Sequence, residues 1–272
     1  MSRLRKGTTQ GAERPESPSV DDVTICDLVL PCRDEAPALR DLLPRAPGAR
    51  LRGSVVMIDQ PFSDVFADAL HGSPTVVVGL GQEPAALPMH LWRRPADHLD
   101  RAMIELCVGP TLDIGCGPGR MTEALASAGH IALGIDVVDA AVSLTRRRGV
   151  SAVRRDVFDR VPGEGLWRTA LLADGNVGIG GNPVVLLQRA RHLLAPGGRV
   201  VVEVAPPGVA LTQTWAVLET ADRRSRPFRW ATLGVDDLTA TAAAAGFSTA
   251  TIHRLDNRWA AVLSEVPSEV LS

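Results

Sequence analysis

A glycine-rich turn between a strand and a helix constrains the fold of this chain more than any other feature of its sequence. The segment TLDIGCGPGR is an apolar run that contains Asp113, followed by Gly115, Gly117 and Gly119. Glycines at such a corner allow a tight turn and let a ligand lie against bare backbone. The helix that follows offers unpaired N–H groups and positive potential to an anionic group. The sequence therefore predicts a ligand-binding loop in an α/β domain.

Strand-like and helical runs alternate from this loop to the end of the chain. Such alternation predicts a mostly parallel sheet that is covered by helices on both faces. Residues 206–234 are less regular, and TQTWAVLE and PFRWATL within them predict a hairpin. The predicted strands are PTLDIG, IALGID, SAVRRD, TALLAD, GRVVVEVA, FSTATIHRL and RWAAVLSEV, and the predicted helices are RMTEALASAG, DAAVSLTRRRG, NPVVLLQRARHLLAP and VDDLTATAAAAG.

A shorter α/β pattern precedes the loop. Strand-like runs at 23–31, 54–59 and 75–80 are separated by two helical runs, which predicts a βαβαβ unit. The predicted domains are a disordered tail (1–22), this unit (23–82), a linker with a leading helix (83–108) and the main α/β domain (109–265).

Charge and composition exclude several classes of partner. The formal net charge of -2 at pH 7 gives no bulk attraction to nucleic acid or to an anionic membrane. No apolar run approaches the roughly 18 residues that span a bilayer, and the basic N-terminus lacks the apolar core of a signal peptide. The four cysteines show no metal-ligand spacing; Cys26 and Cys32 are open to a disulfide or to free thiols, and free thiols are favoured. We therefore expect a cytoplasmic protein without metal, nucleic-acid or membrane partners.

The acid before the first glycine distinguishes two kinds of glycine loop. A dinucleotide loop reads G-x-G-x-x-G, whereas this loop reads G-x-G-x-G with an aspartate two residues upstream. A carboxylate suits an ammonium group better than a pyrophosphate. LDIGCGPG resembles the first motif of class I S-adenosylmethionine-dependent methyltransferases, and the likeness covers about residues 110–262. The resemblance implies a Rossmann-like seven-stranded sheet with S-adenosylmethionine against the loop at Asp113, Ile114, Gly115, Cys116, Gly117 and Gly119.

Two further acids follow the next two strands, in the places that this resemblance implies. Asp136 lies 23 residues after Asp113, the distance of one strand–helix–strand step, and the family uses an acid there to bind both ribose hydroxyls. Asp156 follows the third strand, where the resemblance implies a contact with the adenine amino group. The implied cofactor site also includes Val137, and Val157 beside the adenine ring.

The end of the fourth strand is the place beside the transferred methyl group in this family. It reads ADGNVGIGGNP here, whereas members that methylate adenine, cytosine or glutamine carry Asn/Asp-Pro-Pro-aromatic. We therefore do not expect amino methylation of those groups. Asp174 and Asn176 are the catalytic candidates, to orient an acceptor hydroxyl or amine, and Asp174 also belongs to the implied cofactor site. Alternatively, both side chains satisfy backbone groups of a glycine-rich turn. None of the six histidines stands out as a general base.

The predicted hairpin contains Trp215, Phe228 and Trp230 together with four arginines. It follows the fifth strand at the carboxyl edge of the sheet, where ligands bind in such folds. It is either a lid for a planar or anionic acceptor or a hairpin with packed aromatic rings and solvated arginines. The arginine runs at 146–148 and 154–155 are interpreted as solvated faces.

The N-terminal unit resembles the start of family-2-like GT-A glycosyltransferases in DLVLPCRDEAPALRDLL and VVMIDQPFSD. By that resemblance Pro31, Glu35 and Asp59 correspond to residues near a nucleotide. Pro61 and Phe62 replace the usual glycine and serine, and the sequence contains no Asp-x-Asp metal motif. We therefore interpret the unit as a truncated remnant that serves as a packing partner, an oligomerisation surface or a lid.

These resemblances together favour methyl transfer from S-adenosylmethionine to a small-molecule acceptor, sugar-like or a glycan precursor. One alternative is a non-catalytic protein that binds the cofactor as a sensor or partner subunit. A nucleotide-sugar glycosyltransferase is a third hypothesis and lacks the metal motif it needs. The sequence makes no prediction of oligomeric state.

Overall fold

A computed structural model of the protein describes residues 59–265. The predicted tail, the first strand and helix of the N-terminal unit, and both Cys26 and Cys32 lie outside the described residues. The strands are β1 Asp59–Gln60, β2 Val76–Val78, β3 Ala85–Ala86, β4 Thr111–Ile114, β5 Ala132–Asp136, β6 Ala152–Arg154, β7 Trp167–Leu172, β8 Leu194–Val204, β9 Thr212–Glu219, β10 Arg224–Ser225, β11 Phe228–Thr232, β12 Thr249–Leu255 and β13 Arg258–Ser264. The helices are α1 Phe62–Leu70, α2 Met89–Arg93, α3 His98–Ile104, α4 Arg120–Ser127, α5 Asp139–Arg147, α6 Pro183–Leu193 and α7 Val235–Ala244.

The main sheet contains seven strands in the order β12-β13-β8-β7-β4-β5-β6. Six strands run in one direction, and β13 is antiparallel to both of its neighbours. The predicted seven-stranded, mostly parallel sheet is therefore present. The chain moves outward through β5 and β6 and then returns to place β7 on the other side of β4. This reversal opens a crevice at the carboxyl ends of β4 and β7, which is where open α/β sheets bind ligands.

The core of the main domain follows from strands that are apolar on both faces. Leu112, Leu171 and Val201 are fully buried at the centre of the sheet, and Leu186 and Leu193 of α6 pack against one face. A parallel sheet covered by helices on both sides buries every strand position, so its strands read as continuous apolar runs. This is why the predicted strands of the main domain match the observed ones closely.

A second sheet joins two parts of the chain that are far apart in the sequence. Its order is β1-β10-β9-β2-β3, and β11 pairs with β9. The strands from residues 59–86 therefore share one sheet with the hairpin of residues 212–232, and β2 is antiparallel to β9. The physical reason is length: β2 and β3 have three and two residues, too short to form a stable sheet alone, whereas β9 has eight. We call residues 59–86 and 212–232 the cap.

The cap lies at the carboxyl edge of the main sheet. Leu70 of α1 packs with Val138 and Ala141, which follow β5. Trp230 of β11 forms a bridge with Ile179, which follows β7. Loops after carboxyl strand ends therefore carry the cap, on the same edge as the glycine loop. In the described range no helix has the length and apolar character needed to cross a membrane.

Candidate functional site

The glycine loop runs from the buried end of β4 into α4 through three left-handed residues. Gly115, Gly117 and Gly119 have φ of 73°, 52° and 87°, a region that side chains rarely adopt. A Cβ on Gly119 would stand 2.7 Å from the hydroxyl oxygen of Thr145, so this glycine allows α4 and α5 to pack. Among the described residues, a Cβ on Gly117 would meet no atom within 4 Å. Gly117 therefore presents bare backbone to open space, as a loop that receives a ligand must.

Asp113 is a buried carboxyl group beneath the loop. Its side chain is 1% exposed, and the Thr122 hydroxyl of α4 donates a hydrogen bond to its Oδ2 at 2.6 Å. The pKa of Asp113 is raised to about 7, chiefly by burial and to a lesser extent by the charges of Asp174 and Asp136, while the Thr122 hydrogen bond and Arg120 oppose the rise. A cationic ligand nearby would stabilise the charged form.

The raised pKa of Asp113 makes the stability of the free protein depend on pH. Because the folded pKa lies above the ordinary value, the contribution to stability is complete below about pH 4 and is lost as the pH rises through about 7. We expect the urea concentration at the midpoint of unfolding to be lower at about pH 8 than at about pH 5. The decrease should be smaller in Asp113→Asn, because asparagine stays uncharged. An equal change of the urea midpoint with pH in the wild-type protein and in Asp113→Asn would contradict this expectation.

Asp136 ends β5 beside the glycine loop. Its Oδ2 accepts a hydrogen bond from the Gly117 N–H at 3.0 Å, and its Oδ1 accepts one from the Val138 N–H at 2.9 Å. Each oxygen keeps a lone pair for a further donor. Val137, between these residues, leaves 40% of its surface exposed. The glycine loop thus connects the predicted acids Asp113 and Asp136, and the apolar side chain of Val137 lies next to Asp136.

Asp156 follows β6, next along the same edge. Its Oδ1 accepts a hydrogen bond from the Phe158 N–H at 3.0 Å, which orients the carboxylate. The Val157 side chain is buried in the main core, and its contact with an adenine ring stays a prediction. Ile114 and Cys116 are also buried, which leaves only backbone atoms of these predicted residues to face a ligand.

Asp174 lies in a network of acids and arginines. Both of its oxygens accept hydrogen bonds from Nη2 of Arg120, at 2.6 and 2.5 Å. Arg120 also pairs with Asp100, which is fully buried and accepts a hydrogen bond from Arg258 at 2.6 Å. Burial opposes ionisation of Asp100, but the hydrogen bonds from Arg120 and Arg258 hold its pKa well below the usual range. The network ties α3, α4 and the start of β13 to the end of β7.

The network favours a positioning role for Asp174 over that of a free base, because both carboxylate oxygens already face a guanidinium. Asn176 has a similar role: its Nδ2 donates to the carbonyl oxygens of Ile114 and Gly115, each at 2.9 Å. The alternative that both side chains satisfy backbone groups of the turn is met in part: Asn176 binds backbone carbonyls, although of the glycine loop, whereas Asp174 binds the Arg120 side chain. Asn176 fastens the turn after β7 to the glycine loop.

Sequence reasoning missed Thr122, Arg120, Asp100 and Arg258. One signal was available for Arg120, which is the first residue of α4. A cation is disfavoured at a helix N-terminus, so an arginine there breaks a local rule and indicates a specific acidic partner. The partners themselves lie far away in the sequence, and no local pattern points to Asp100 or Arg258.

The hairpin was predicted to be either a lid over an acceptor or a hairpin with packed aromatic rings, and its aromatic residues differ in which prediction they fit. Phe228 packs its ring against Phe62, with centroids 4.8 Å apart, and Trp215 lies beneath the Arg229 guanidinium at 5.7 Å. Trp230 instead lines a cleft of about 290 Å³ together with Trp259. Gly175, directly after Asp174, forms another part of the wall. The hairpin is therefore partly packed and partly the wall of a cleft beside β7.

The residues present fit S-adenosylmethionine. The oriented carboxylate of Asp136 suits two ribose hydroxyls, and the bare backbone of Gly117 leaves room for the ligand. The buried carboxyl of Asp113 suits a nearby ammonium group. Asp156 and the exposed Val137 extend the site along the edge from β5 to β6.

Known proteins resemble this chain over the segment that contains these residues. Residues 111–198 match the family model described as "Methyltransferase domain". A Mycobacterium bovis protein of uncharacterized function is 31% identical over 150 residues, 55% of this chain and 46% of its own length. The ubiquinone biosynthesis O-methyltransferase of Bordetella avium is 28% identical over 127 residues, 46% of this chain and 48% of its own length. The chain thus spans about half the length of the curated relatives it matches.

The fold itself is found in solved structures. A methyltransferase from Bacteroides fragilis, in complex with S-adenosylhomocysteine, superimposes with a TM-score of 0.64 and 22% identity over 76% of this chain and 95% of that one. The chain has the Rossmann-like fold of class I methyltransferases.

Proposed function

We propose that this chain, which carries a methyltransferase domain over residues 111–198 and uses S-adenosylmethionine as its cofactor, transfers the methyl group to a small-molecule acceptor. The observation that supports the proposal most strongly is the open backbone of Gly117, hydrogen-bonded to the oriented carboxylate of Asp136. The cleft beside Gly175 provides a place for an acceptor and favours turnover over a binding-only role. A cytoplasmic location, a sugar-like or glycan-precursor acceptor, the domain boundaries and the GT-A resemblance stay predictions.

When bound, the cofactor supplies a methyl group whose carbon–sulfur bond breaks as an acceptor lone pair attacks, with the bonding electrons leaving on sulfur. The chain aligns the reactants: Asp136 and the glycine loop hold the cofactor, and the cleft beside Asp174 holds the acceptor. Asn176 and Arg120 keep the β7 turn in place between them. The acceptor proton passes to solvent, since the carboxylate of Asp174 is engaged with Arg120.

A matched pair of glycine variants tests the cofactor site. Gly117 and Gly129 both have positive φ, 52° and 88°, and at each of them an added Cβ would have no atom within 4 Å, but only Gly117 borders the site. Both alanine variants should lose about 1 kcal/mol of stability for the left-handed backbone. Only Gly117→Ala should weaken S-adenosylhomocysteine binding in calorimetry, by about tenfold or more, because its methyl group occupies the ligand's place.

Transfer itself is measured as radiolabel passing from S-adenosylmethionine into small molecules of a cell extract. NAD, and UDP with manganese, serve as binding controls for the dinucleotide and nucleotide-sugar alternatives. If wild-type protein binds neither S-adenosylmethionine nor S-adenosylhomocysteine, the proposed function is wrong. If Gly117→Ala and Gly129→Ala bind S-adenosylhomocysteine equally, the assignment of Gly117 to the cofactor site is wrong.

A further inference from the structure

The cleft between the cap and the main sheet has a composition that restricts what it can bind. It lies between the ends of β7 and β8, the start of β13 and strand β11 of the cap. Its volume of about 290 Å³ lies at the small end of ligand pockets, enough for one or two fused rings. We propose that this cleft binds the methyl acceptor as an uncharged molecule with a planar ring; the proposal rests on the proposed function.

The first reason is that the charges of the cleft are already paired. Two of the described residues that line it are ionisable, Glu203 and Arg258. Nε and Nη2 of Arg258 each donate to a different oxygen of Glu203, both at 2.7 Å. Glu203 also accepts a hydrogen bond from the Asp174 N–H at 2.7 Å, and Arg258 donates to Asp100. A charged acceptor would gain a partner only by breaking this bidentate pair, which an uncharged acceptor leaves intact.

The second reason is the kind of surface that remains. Trp230 and Trp259 are among the residues that line the cleft, together with the buried Leu233 and Val204. Indole side chains provide large rigid apolar surfaces against which planar rings stack. Trp230 lies directly against Gly178, where a Cβ would come within 2.5 Å of its Nε1. The turn after β7 therefore leaves room for this indole.

The third reason is the shortage of hydrogen-bonding side chains. Apart from the Glu203–Arg258 pair and the two indoles, Thr232 and Asn257 are the polar side chains among the described lining residues. A sugar ring carries hydroxyl groups around most of its rim, and each one that is desolvated without a partner is costly. A planar ring with a single hydroxyl or amine needs few partners. This observation disfavours the sugar-like acceptor expected from the sequence.

Calorimetry on the full chain saturated with S-adenosylhomocysteine tests the proposal with four probes. The probes are 2-naphthol, its saturated analogue 2-decalol, the anion 2-naphthoate, and methyl β-glucoside. We expect 2-naphthol to bind about tenfold or more tightly than each of the others, and Trp230→Leu to weaken it by about tenfold. Trp215→Leu is the matched control, since Trp215 lies on the neighbouring strand against Arg229 and should leave probe binding unchanged.

S-adenosylhomocysteine affinity is measured for each variant and separates the two proposals. Three results would overturn the planar-acceptor proposal: 2-naphthol fails to bind, it binds no better than the other probes, or it binds equally well to Trp230→Leu. If S-adenosylhomocysteine binding is unchanged in that experiment, the proposed function still stands. Wild-type protein that is folded by circular dichroism but does not bind S-adenosylhomocysteine overturns the proposed function, and this proposal with it.

Discussion

Asp136→Ala is expected to reduce the affinity for S-adenosylmethionine by about a hundredfold or more, because a carboxylate that accepts two hydroxyl hydrogen bonds contributes about 3 kcal/mol. The structure holds this carboxylate in place through the N–H groups of Gly117 and Val138. Alanine removes both the acceptor oxygens for the ligand and the bond that orients the glycine loop. Isothermal calorimetry measures the change directly.

Asp139→Ala is the matched control for this prediction. Asp139 is three residues further on, in the first turn of α5, with 73% of its side chain exposed and an ion pair to Arg154. Loss of such a surface pair changes stability by less than about 1 kcal/mol, and the ligand affinity should not change. A folded Asp136→Ala protein that binds S-adenosylmethionine as tightly as Asp139→Ala would refute the assignment of Asp136.

Asp100→Ala is expected to destabilise the protein by about 3 kcal/mol or more. Asp100 is fully buried and receives hydrogen bonds from Arg94 at 2.8 Å and Arg258 at 2.6 Å, with Arg120 as a third partner. Its removal leaves Arg120, which is 3% exposed, with Asp174 as its one remaining acidic partner among residues 59–265. A buried charge that loses a partner keeps its desolvation penalty without the compensating attraction.

Asp97→Ala provides the comparison, since both residues belong to the capping box of α3. The Asp97 side chain accepts a hydrogen bond from the Asp100 N–H at 2.9 Å and remains 37% exposed. Its loss should cost about 1 kcal/mol, as for other helix caps. Urea denaturation of both variants separates the effects, and equal midpoints would show that Asp100 contributes only to the N-terminal capping box of helix α3.

The main domain could be predicted from local sequence patterns. Its strands are apolar on both faces and its helices carry an apolar stripe, so short windows of sequence reveal both. The acids at 113, 136 and 156 could be placed for the same reason, since each lies near the carboxyl end of a parallel strand, and these ends share one edge of the sheet. The identity of the loop depended on a few contiguous residues, which local reasoning handles well.

The strand pairing in the cap could not be predicted from local sequence patterns. The N-terminal strands were expected to pair in a unit of their own, but β2 pairs with β9, and Val77 lies opposite Leu218. Strands this short acquire a sheet only from a longer partner elsewhere in the chain. The helix predicted at residues 63–70 was confirmed as α1, because its amphipathic pattern is local. Its packing against α5 was not predictable from that pattern.

The fold class, the glycine loop and the row of acids near the strand ends could be predicted from local sequence, because each depends on residues that are neighbours in the chain. The pairing of Asp100 with Arg258, 158 residues away, and the different surroundings of Trp230 at a cleft and Phe228 against α1 became known only from the folded chain. Ion pairs and aromatic contacts act at distances of a few ångströms in space, whatever the separation along the chain. Their partners are therefore set by how the elements pack.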